Sequence, residues 1–351
     1  MGDAARQLAG GGVLWYLAAV MYRDAALIGS HLAISLPGSE ATEEVIAHVR
    51  RIQAKSVVVF SRNFASPEQF TQLIHRLEDA LGWRLLVMVD HEGGRINRFG
   101  AAVTQFPDAL TVGRAGDPQA AARQGAIEAQ ELKRLAVQVN LAPCVDVIVE
   151  GSDPVIGDRS YGSDPVLVSQ CGAARIQGLQ SHGVAACAKH FPGLGAVPRD
   201  PHRILSDIDL DRETIDRVHL PPFRAAIEAG VAMVMSSHVR YRAFGDPPGR
   251  PATFSPAIMH GLLRTQLRFT GLVLSDDLEM GAIRSGWSMG KAAVRAAQAG
   301  HDLLLFCSGN LRVQLEAFSS LRKAYGEGRL DDAELKAGLT RLEDVREKFL
   351  G

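Results

Sequence analysis

The 351-residue sequence is poor in cysteine and has no excess of either charge. Its four cysteines, at positions 144, 171, 187 and 307, show no Cys-x-x-Cys spacing, and three of them lie in or beside apolar runs, where a reduced thiol behaves as a small hydrophobic side chain. The 38 Lys and Arg residues against 39 Asp and Glu give a formal charge of -1, which argues against nucleic acid or an anionic membrane as a partner bound through bulk charge. This composition fits a reducing compartment and a neutral substrate.

The sequence also lacks the patterns of metal and nucleotide chemistry. No His-x-His or His-Glu-x-x-His motif occurs, so neither a structural nor a catalytic metal is expected. The segment Gly10 to Gly12 follows no predicted strand, and the segment Gly193 to Gly195 has Pro198 where a dinucleotide fingerprint requires its next glycine. We therefore expect no cofactor.

The apolar run from Leu8 to Tyr22 is too short to span a membrane but falls within the range of a signal sequence. Only Arg6 is positive ahead of this run, Asp3 cancels that charge, and no Ala-x-Ala cleavage pattern follows closely. We therefore expect residues 1–30 to form a helical extension and the protein to be cytoplasmic. Secretion is the alternative if these residues act as a signal.

Short apolar runs alternate with longer amphipathic segments along the whole chain, a pattern typical of repeated strand and helix units. Near-continuous apolar strands are buried on both faces, so eight such units most simply close into a parallel (β/α)₈ barrel of the α/β class. An open doubly wound sheet is the alternative. The predicted strands are His31–Leu36, Ser56–Phe60, Leu85–Val89, Gln138–Leu141, Val184–Lys189, Ala232–Ser236, Leu272–Ser275 and Asp302–Phe306.

Several of the predicted helices begin with Ser or Asp followed by Pro at the first helical position, which is a cap signal. Residues 327–351 add a last, charged helix, and we see no second domain, repeat or linker. Residues 31–351 are therefore expected to form one catalytic barrel. The other predicted helices are Glu40–Gln53, Pro67–Leu81, Pro118–Leu135, Pro165–Ser181, Arg212–Ala229, Pro256–Leu267, Lys291–Ala299 and Leu311–Tyr325.

Polar side chains collect where the predicted strands end, which is where the reactive residues of a barrel lie. A rim of acids, bases and cations without metal-ligand spacing suits the recognition of sugar hydroxyls. The residues at these ends include Asp90, Arg98, Asp146, Arg159, Lys189, His190, His238 and Asp276.

The stretch from Lys189 to His202 contains Gly and Pro residues that forbid regular structure, so we predict a loop that positions side chains. Asp200 and His202 stand two residues apart, and in an extended segment they would project from the same side, so that the carboxylate orients the imidazole. The complementary carboxylate is expected to be Asp276, which ends an apolar run.

Four motifs occur in order along the chain: Asp90-x-Glu-Gly-Gly-Arg, Arg159-Ser-Tyr-Gly, Lys189-His-Phe-Pro-Gly-x-Gly and Ser275-Asp-Asp-Leu-x-Met. In these four motifs the chain resembles the single-domain β-N-acetylglucosaminidases of glycoside hydrolase family 3. The bacterial enzymes that recycle peptidoglycan are the most similar type. The resemblance runs from about His31 to Phe306.

The resemblance implies an exo-acting, retaining hydrolase that removes terminal N-acetylglucosamine from peptidoglycan fragments or chitooligosaccharides. It implies that Asp276 is the nucleophile, that His202 is the general acid/base and that Asp200 fixes the tautomer of His202. An imidazole that titrates near neutrality can serve first as acid and then as base. The residues that the resemblance assigns to sugar binding are Asp90, Arg98, Arg159, Lys189 and His190.

The sequence departs from the family pattern at Leu194, where a His is usual, and at Pro201, where a small Ser is common. Leu194 removes a polar contact inside the loop and puts loop closure and substrate class in question. Two other functions therefore stay open. One is a phosphorylase, because a His acid/base does not repel an incoming phosphate dianion as a carboxylate would; the other is a non-catalytic sugar-binding barrel.

Overall fold

A computed structural model describes residues 25–247 and 249–350 of the chain. The predicted N-terminal helix over the run from Leu8 to Tyr22 lies outside the described residues. Residues 25–30 are helical and lead directly into the first strand. Within the described ranges, no helix is both long enough and apolar enough to cross a membrane.

Eight parallel strands close into a barrel in the described part of the chain, in the order in which they follow one another in the sequence. This confirms the predicted (β/α)₈ barrel. Two short strands, β6 (Asp207–Ile208) and β8 (Arg240–Tyr241), pair with each other outside it. The barrel strands are β1 (Leu32–Ser35), β2 (Ser56–Val59), β3 (Leu86–Val89), β4 (Val139–Asn140), β5 (Ala185–Phe191), β7 (Met233–Ser236), β9 (Leu272–Asp277) and β10 (Leu303–Phe306).

The strands read as continuous apolar runs because both of their faces are buried. In β2, for example, Val57 and Val59 pack in the outer cluster against the helices, whereas Val58 packs in the cluster that fills the barrel. A single residue shift of register would exchange these two faces. The burial pattern therefore fixes which side chains point into the barrel at its upper end.

The helices surround the barrel, and their predicted caps are present. Ser66, Asp117 and Asp164 each accept a backbone N–H of the first helical turn, and a Pro follows each of them. The α-helices are Glu43–Ile52, Pro67–Leu81, Ala109–Arg114, Pro118–Arg134, Pro165–Ser181, Arg212–Thr214, Pro221–Glu228, Gly281–Arg284, Met289–Gln298, Leu311–Gly326 and Asp332–Phe349.

Two predicted helices differ from regular α-helix. The segment predicted as Arg212–Ala229 changes to π-helix over Ile215–His219 and resumes as α-helix at Pro221, because Pro221 and Pro222 have no N–H to continue the ladder. The segment predicted as Pro256–Leu267 is a π-helix over Ala257–Gln266. Short 3₁₀ turns occupy Ser61–Asn63, Gly100–Ala102, Gly157–Arg159, Arg242–Phe244 and Ala252–Phe254.

The C-terminal helix, Asp332–Phe349, closes the lower end of the barrel. Its apolar residues Leu342, Val345 and Phe349 belong to the same buried cluster as the side chains inside the barrel. Its Arg341 also pairs with Asp302, just ahead of β10, at 2.6 Å. The helix therefore blocks the end at which the strands begin, and the opposite end carries the site.

Candidate active site

A cavity of about 650 Å³ opens at the C-terminal end of the barrel. It is lined by side chains from β5 and β9 and from the segments that follow β3, β4 and β5. The cavity brings together the eight residues that the sequence analysis assigned to catalysis or sugar binding: Asp90, Arg98, Arg159, Lys189, His190, Asp200, His202 and Asp276.

Strands β5 and β9, which carry residues of the site, both extend further than the sequence predicted. Strand β5 continues through His190 to Phe191, which pairs with Ser236 of β7, so the predicted loop begins two residues later than expected. Strand β9 likewise includes Asp276 and Asp277, the latter paired with β10. The neighbouring strands supply the ladder partners, which local sequence signals cannot reveal.

Asp276 lies near the end of β9, and its Oδ1 accepts a hydrogen bond from the backbone N–H of Asp277 at 2.8 Å. Burial alone would raise the pKa of Asp276, but the nearby His190 and His238 and the Asp277 N–H together lower the pKa below its usual value. The carboxylate is therefore ionised near neutral pH, which is the form that a nucleophile requires.

Asp200 and His202 form a hydrogen-bonded pair, as predicted, but in a turn and not in an extended segment. Asp200 Oδ1 accepts from His202 Nδ1 at 2.7 Å and from the His202 backbone N–H at 2.8 Å. The carbonyl of Asp200 also accepts from the N–H of Arg203, which tightens the turn. Because Nδ1 donates to the carboxylate, Nε2 of His202 is the atom left for proton exchange at the cavity.

The loop that carries His202 rests on the turn that follows β9. The N–H of Gly281 donates to the His202 carbonyl at 2.9 Å, and the N–H of Ala282 donates to the Pro201 carbonyl at 3.1 Å. A Cβ at position 281 would lie 2.6 Å from the His202 carbonyl oxygen and 2.5 Å from that of Arg203. Only glycine permits this close approach.

A cluster of alternating charges forms the barrel end of the cavity. Lys189 Nζ lies 2.6 Å from Asp90 Oδ1 and 2.7 Å from Glu92 Oε1. Arg159 donates two hydrogen bonds to Glu92, both at 2.8 Å. Burial would raise the pKa of Glu92, but Arg159 and Lys189 hold the pKa well below its usual range, so the Glu92 carboxylate is ionised near neutral pH.

Glu92 and Asp146 are functional-site residues that the sequence analysis did not assign. Glu92 stands two residues after Asp90, and that spacing within the Asp-x-Glu motif was the available signal. Asp146 is fully buried and accepts from His190 Nδ1 at 2.7 Å and from the backbone N–H of Leu194 at 2.6 Å. It thereby orients the His190 ring, whose Nε2 lies 3.4 Å from Arg159 Nη2.

The main chain of Leu194 ties the loop to Asp146. The donor is the backbone N–H of Leu194, so the bond does not depend on the side chain. The Leu194 side chain is itself buried, only 3% exposed, in the apolar cluster around the barrel. Apolar packing therefore holds the side chain at this position of the loop.

Cys144, Asp146 and His190 are the described residues that come close enough together to ligate a metal ion, with candidate atoms within 4.8 Å of one another. These atoms already bond to each other, since Asp146 Oδ2 accepts from His190 Nδ1 and from Cys144 Sγ, the latter at 3.2 Å. Burial raises the pKa of the Cys144 thiol well above its usual value, so it stays a protonated donor. That the site works without a metal stays a prediction.

Comparison with known proteins yields a consistent set of relatives. The family model described as the glycosyl hydrolase family 3 N terminal domain matches residues 28–345. The beta-hexosaminidase of Nitrosomonas eutropha is 37% identical over 284 residues, which cover 79% of this chain and 80% of that protein. The beta-hexosaminidase of Thiobacillus denitrificans is also 37% identical, over 286 residues, 79% of this chain and 78% of that protein.

Solved structures agree with the sequence matches. The glycoside hydrolase family 3 beta-N-acetylglucosaminidase from Paenibacillus sp. str. FPU-7 superposes with a TM-score of 0.88 at 34% identity, covering 93% of this chain but only 62% of that longer one. NagZ from Neisseria gonorrhoeae in complex with N-trifluoroacetyl-D-glucosamine superposes with a TM-score of 0.78 at 28% identity, covering 92% of this chain and 91% of that one. On the family match, the relatives and the barrel that carries the site, the chain belongs to glycosyl hydrolase family 3 and is a glycoside hydrolase.

Proposed function

We propose that the chain is a retaining exo-β-N-acetylglucosaminidase that removes terminal non-reducing N-acetylglucosamine from peptidoglycan fragments or chitooligosaccharides. The observation that carries this proposal is one cavity lined by an ionised carboxylate on β9, Asp276, and by an imidazole held by a carboxylate, the pair His202 and Asp200. The relatives named beta-hexosaminidase and the bound N-trifluoroacetyl-D-glucosamine of NagZ support the N-acetyl sugar as substrate.

The charged cluster at the barrel end binds the terminal sugar in this proposal. Its side chains offer both carboxylate acceptors and cationic donors to the hydroxyls and the N-acetyl group. Arg98 lies beside the cluster, with Nη2 3.9 Å from Asp90 Oδ2, and it lines the cavity. In this proposal the terminal sugar occupies the cluster, and the enzyme acts on chain ends.

In the first step, an Asp276 carboxylate oxygen attacks the anomeric carbon, and the bond from that carbon to the leaving oxygen breaks. His202 Nε2 gives its proton to the leaving oxygen, which departs as an alcohol. A covalent glycosyl ester on Asp276 remains, and the neutral His202 has the right form for the next step.

In the second step, His202 Nε2 takes a proton from water as the water oxygen attacks the anomeric carbon. The ester bond to Asp276 breaks, and the carboxylate and an imidazolium are restored. Asp200 accepts from Nδ1 throughout, which fixes the tautomer and stabilises the imidazolium. Two inversions at one carbon give net retention.

The test is turnover of the 4-nitrophenyl β-glycosides of N-acetylglucosamine and glucose, with and without phosphate, beside an Asp276→Ala variant. We expect release from the N-acetyl sugar, retention of configuration by NMR, and loss of turnover in the variant. Faster turnover with formation of sugar 1-phosphate would instead establish a phosphorylase. Binding of N-acetylglucosamine without any turnover dependent on Asp276 would establish a sugar-binding barrel.

The natural substrate is tested separately, by comparing release from chitobiose with release from a disaccharide that carries N-acetylmuramic acid. A cytoplasmic location also remains a proposal. All four cysteines are free and buried, which suits a reducing compartment, but the apolar run that a signal would need lies outside the described residues.

A further inference from the structure

A fully buried histidine, His238, lies beyond the end of β7 and next to the nucleophile strand. Its Nε2 lies 2.9 Å from the backbone carbonyl oxygen of Asp277, and its Nδ1 lies 2.6 Å from Thr253 Oγ1. It does not line the cavity, so it has no direct role in sugar binding.

The chemistry of the two partners fixes the tautomer of His238. A carbonyl oxygen only accepts, so Nε2 must carry the proton that reaches Asp277. Burial lowers the pKa of His238, which keeps the ring neutral and makes Nδ1 an acceptor. The hydroxyl of Thr253 has one proton and lies near two acceptors, His238 Nδ1 at 2.6 Å and the Ser237 carbonyl oxygen at 2.9 Å. The bond that the partners fix is therefore the one from His238 Nε2 to Asp277.

Asp277 accepts four hydrogen bonds. Its carbonyl accepts from His238 Nε2 at 2.9 Å and from the N–H of Met280 at 3.0 Å, and its Oδ1 accepts from the N–H of Glu279 at 3.0 Å and from the N–H of Cys307, beyond β10, at 3.1 Å. Its own N–H is the donor to Asp276 Oδ1. Movement of the Asp277 main chain would therefore move the hydrogen bond that this N–H makes to the carboxylate of Asp276, the one such bond in the described part of the chain.

This arrangement also distinguishes the two oxygens of Asp276. Oδ1 is engaged by the Asp277 N–H, whereas Oδ2 has no hydrogen-bond partner among the described residues. Because Oδ1 already accepts the N–H, Oδ2 keeps its lone pairs free and is the oxygen that we assign to attack on the anomeric carbon. The N–H also stabilises the carboxylate charge that returns when the glycosyl ester breaks.

We propose that His238 is a positioning residue for the nucleophile, acting through the main chain of Asp277. The proposal rests on the assignment of Asp276 under the proposed function. It goes beyond that assignment because His238 touches neither the sugar nor the reacting atoms, yet sets the orientation of the carboxylate that reacts.

The test compares His238→Phe, which keeps the ring shape and removes both hydrogen bonds, with His238→Gln, whose amide N–H can still reach the Asp277 carbonyl. The matched control is His301→Phe. His301 is an equally buried histidine, but its ring bonds to Ser236 Oγ and to the carbonyl of Ala296. All variants are assayed well below their unfolding temperatures, with kcat and KM measured for the N-acetylglucosamine aryl glycoside.

We expect His238→Phe to lower kcat by about 10²-fold with KM changed by less than about threefold, because misplacement of a reacting group affects the chemical step. His238→Gln should recover most of that loss, and His301→Phe should keep kcat although it unfolds at a lower temperature. If His238→Phe keeps kcat, or if Gln is no better than Phe while His301→Phe loses as much, the positioning role is refuted.

Two further variants keep the inference testable. If His238→Phe does not fold, Thr253→Val, which removes the hydroxyl beside Nδ1, should lower kcat, and Thr253→Ser should restore it. Equal activity in both variants would overturn the inference. The Asp276→Ala variant distinguishes a failure of the proposed function from a failure of the role proposed for His238. Full activity of Asp276→Ala refutes the proposed function, whereas an inactive Asp276→Ala beside a fully active His238→Phe refutes only the role of His238.

Discussion

The backbone N–H of Gly281 donates to the carbonyl oxygen of His202 at 2.9 Å, so the loop with the proposed acid/base is seated on the segment that follows the proposed nucleophile. Only the short turn from Leu278 to Met280 separates Gly281 from β9. The two groups that must meet at one glycosidic bond are thus held by a contact between main chains, and the position of the loop depends on the shape of residue 281.

We expect Gly281→Ala to lower kcat for substrates with poor leaving groups by about 10²-fold, because the new Cβ displaces the His202 carbonyl and with it the ring. The matched control is Gly286→Ala, five residues further on, where an added Cβ meets no atom within 4 Å. Steady-state kinetics on chitobiose measures the effect. Equal activity of the two variants would show that the position of the loop does not depend on the close contact between Gly281 and the His202 carbonyl.

We expect His202→Ala to lower turnover by roughly 10²–10⁴-fold on chitobiose and much less on 4-nitrophenyl glycosides, because an activated phenolate leaves without a proton. The measurement is a series of aryl glycosides whose leaving groups differ in pKa. A steep dependence on that pKa should appear only in the variant. An equal loss on every substrate would remove His202 from the role of general acid.

We expect Glu92→Gln to raise KM and to lower the free energy of unfolding by on the order of 3 kcal/mol, because it leaves Lys189 and Arg159 buried with one fewer anion. The control is Glu343→Gln, which removes a half-exposed carboxylate from its pairs with Lys55 and Arg346 and should cost less than about 1 kcal/mol. Urea unfolding gives both values. Similar losses of unfolding free energy in the two variants would contradict the larger contribution to stability that we assign to the buried cluster.

We expect Asp277→Asn to become increasingly more stable than the parent protein as the pH rises from 4 to 8. Burial raises the pKa of Asp277 to about 7, so the folded state binds a proton that the unfolded state has lost above about pH 4. Folding is therefore penalised as pH rises through this window, whereas Asn keeps an acceptor for the two N–H groups and does not titrate. Thermal unfolding at several pH values measures the difference, and a constant difference would contradict the raised pKa.

The sequence alone predicts the barrel and the rim of the site because both follow from local patterns. Each strand is an apolar run and each helix has an amphipathic pattern, and the polar residues that end the strands must share one rim once the barrel closes. The eight residues from Asp90 to Asp276 needed no further information to be placed together. Their roles remain proposals.

The rest depends on contacts between distant parts of the chain. His190 and Phe191 follow the predicted strand and precede Pro192 and Gly193, so local signals place them in a loop, whereas pairing with β7 keeps them in a strand. Asp146 and Glu92 look like ordinary acids in loops until the fold puts His190, Lys189 and Arg159 beside them. The interruption of the predicted helix Arg212–Ala229 near Leu220 is different, because a local signal for it was present. Two consecutive prolines follow Leu220, and the prediction of one continuous helix did not take them into account.

A filled lower end has a consequence for the order of events in the proposed reaction. The side chains inside the barrel and Leu342, Val345 and Phe349 of the last helix fill that end, so molecules enter and leave the cavity through one mouth. In the proposed reaction a sugar held by Lys189 would lie beneath its aglycone, so the aglycone would depart before water arrives. Free N-acetylglucosamine would then be the last product to leave, and it would compete with the next chain end for the same cavity.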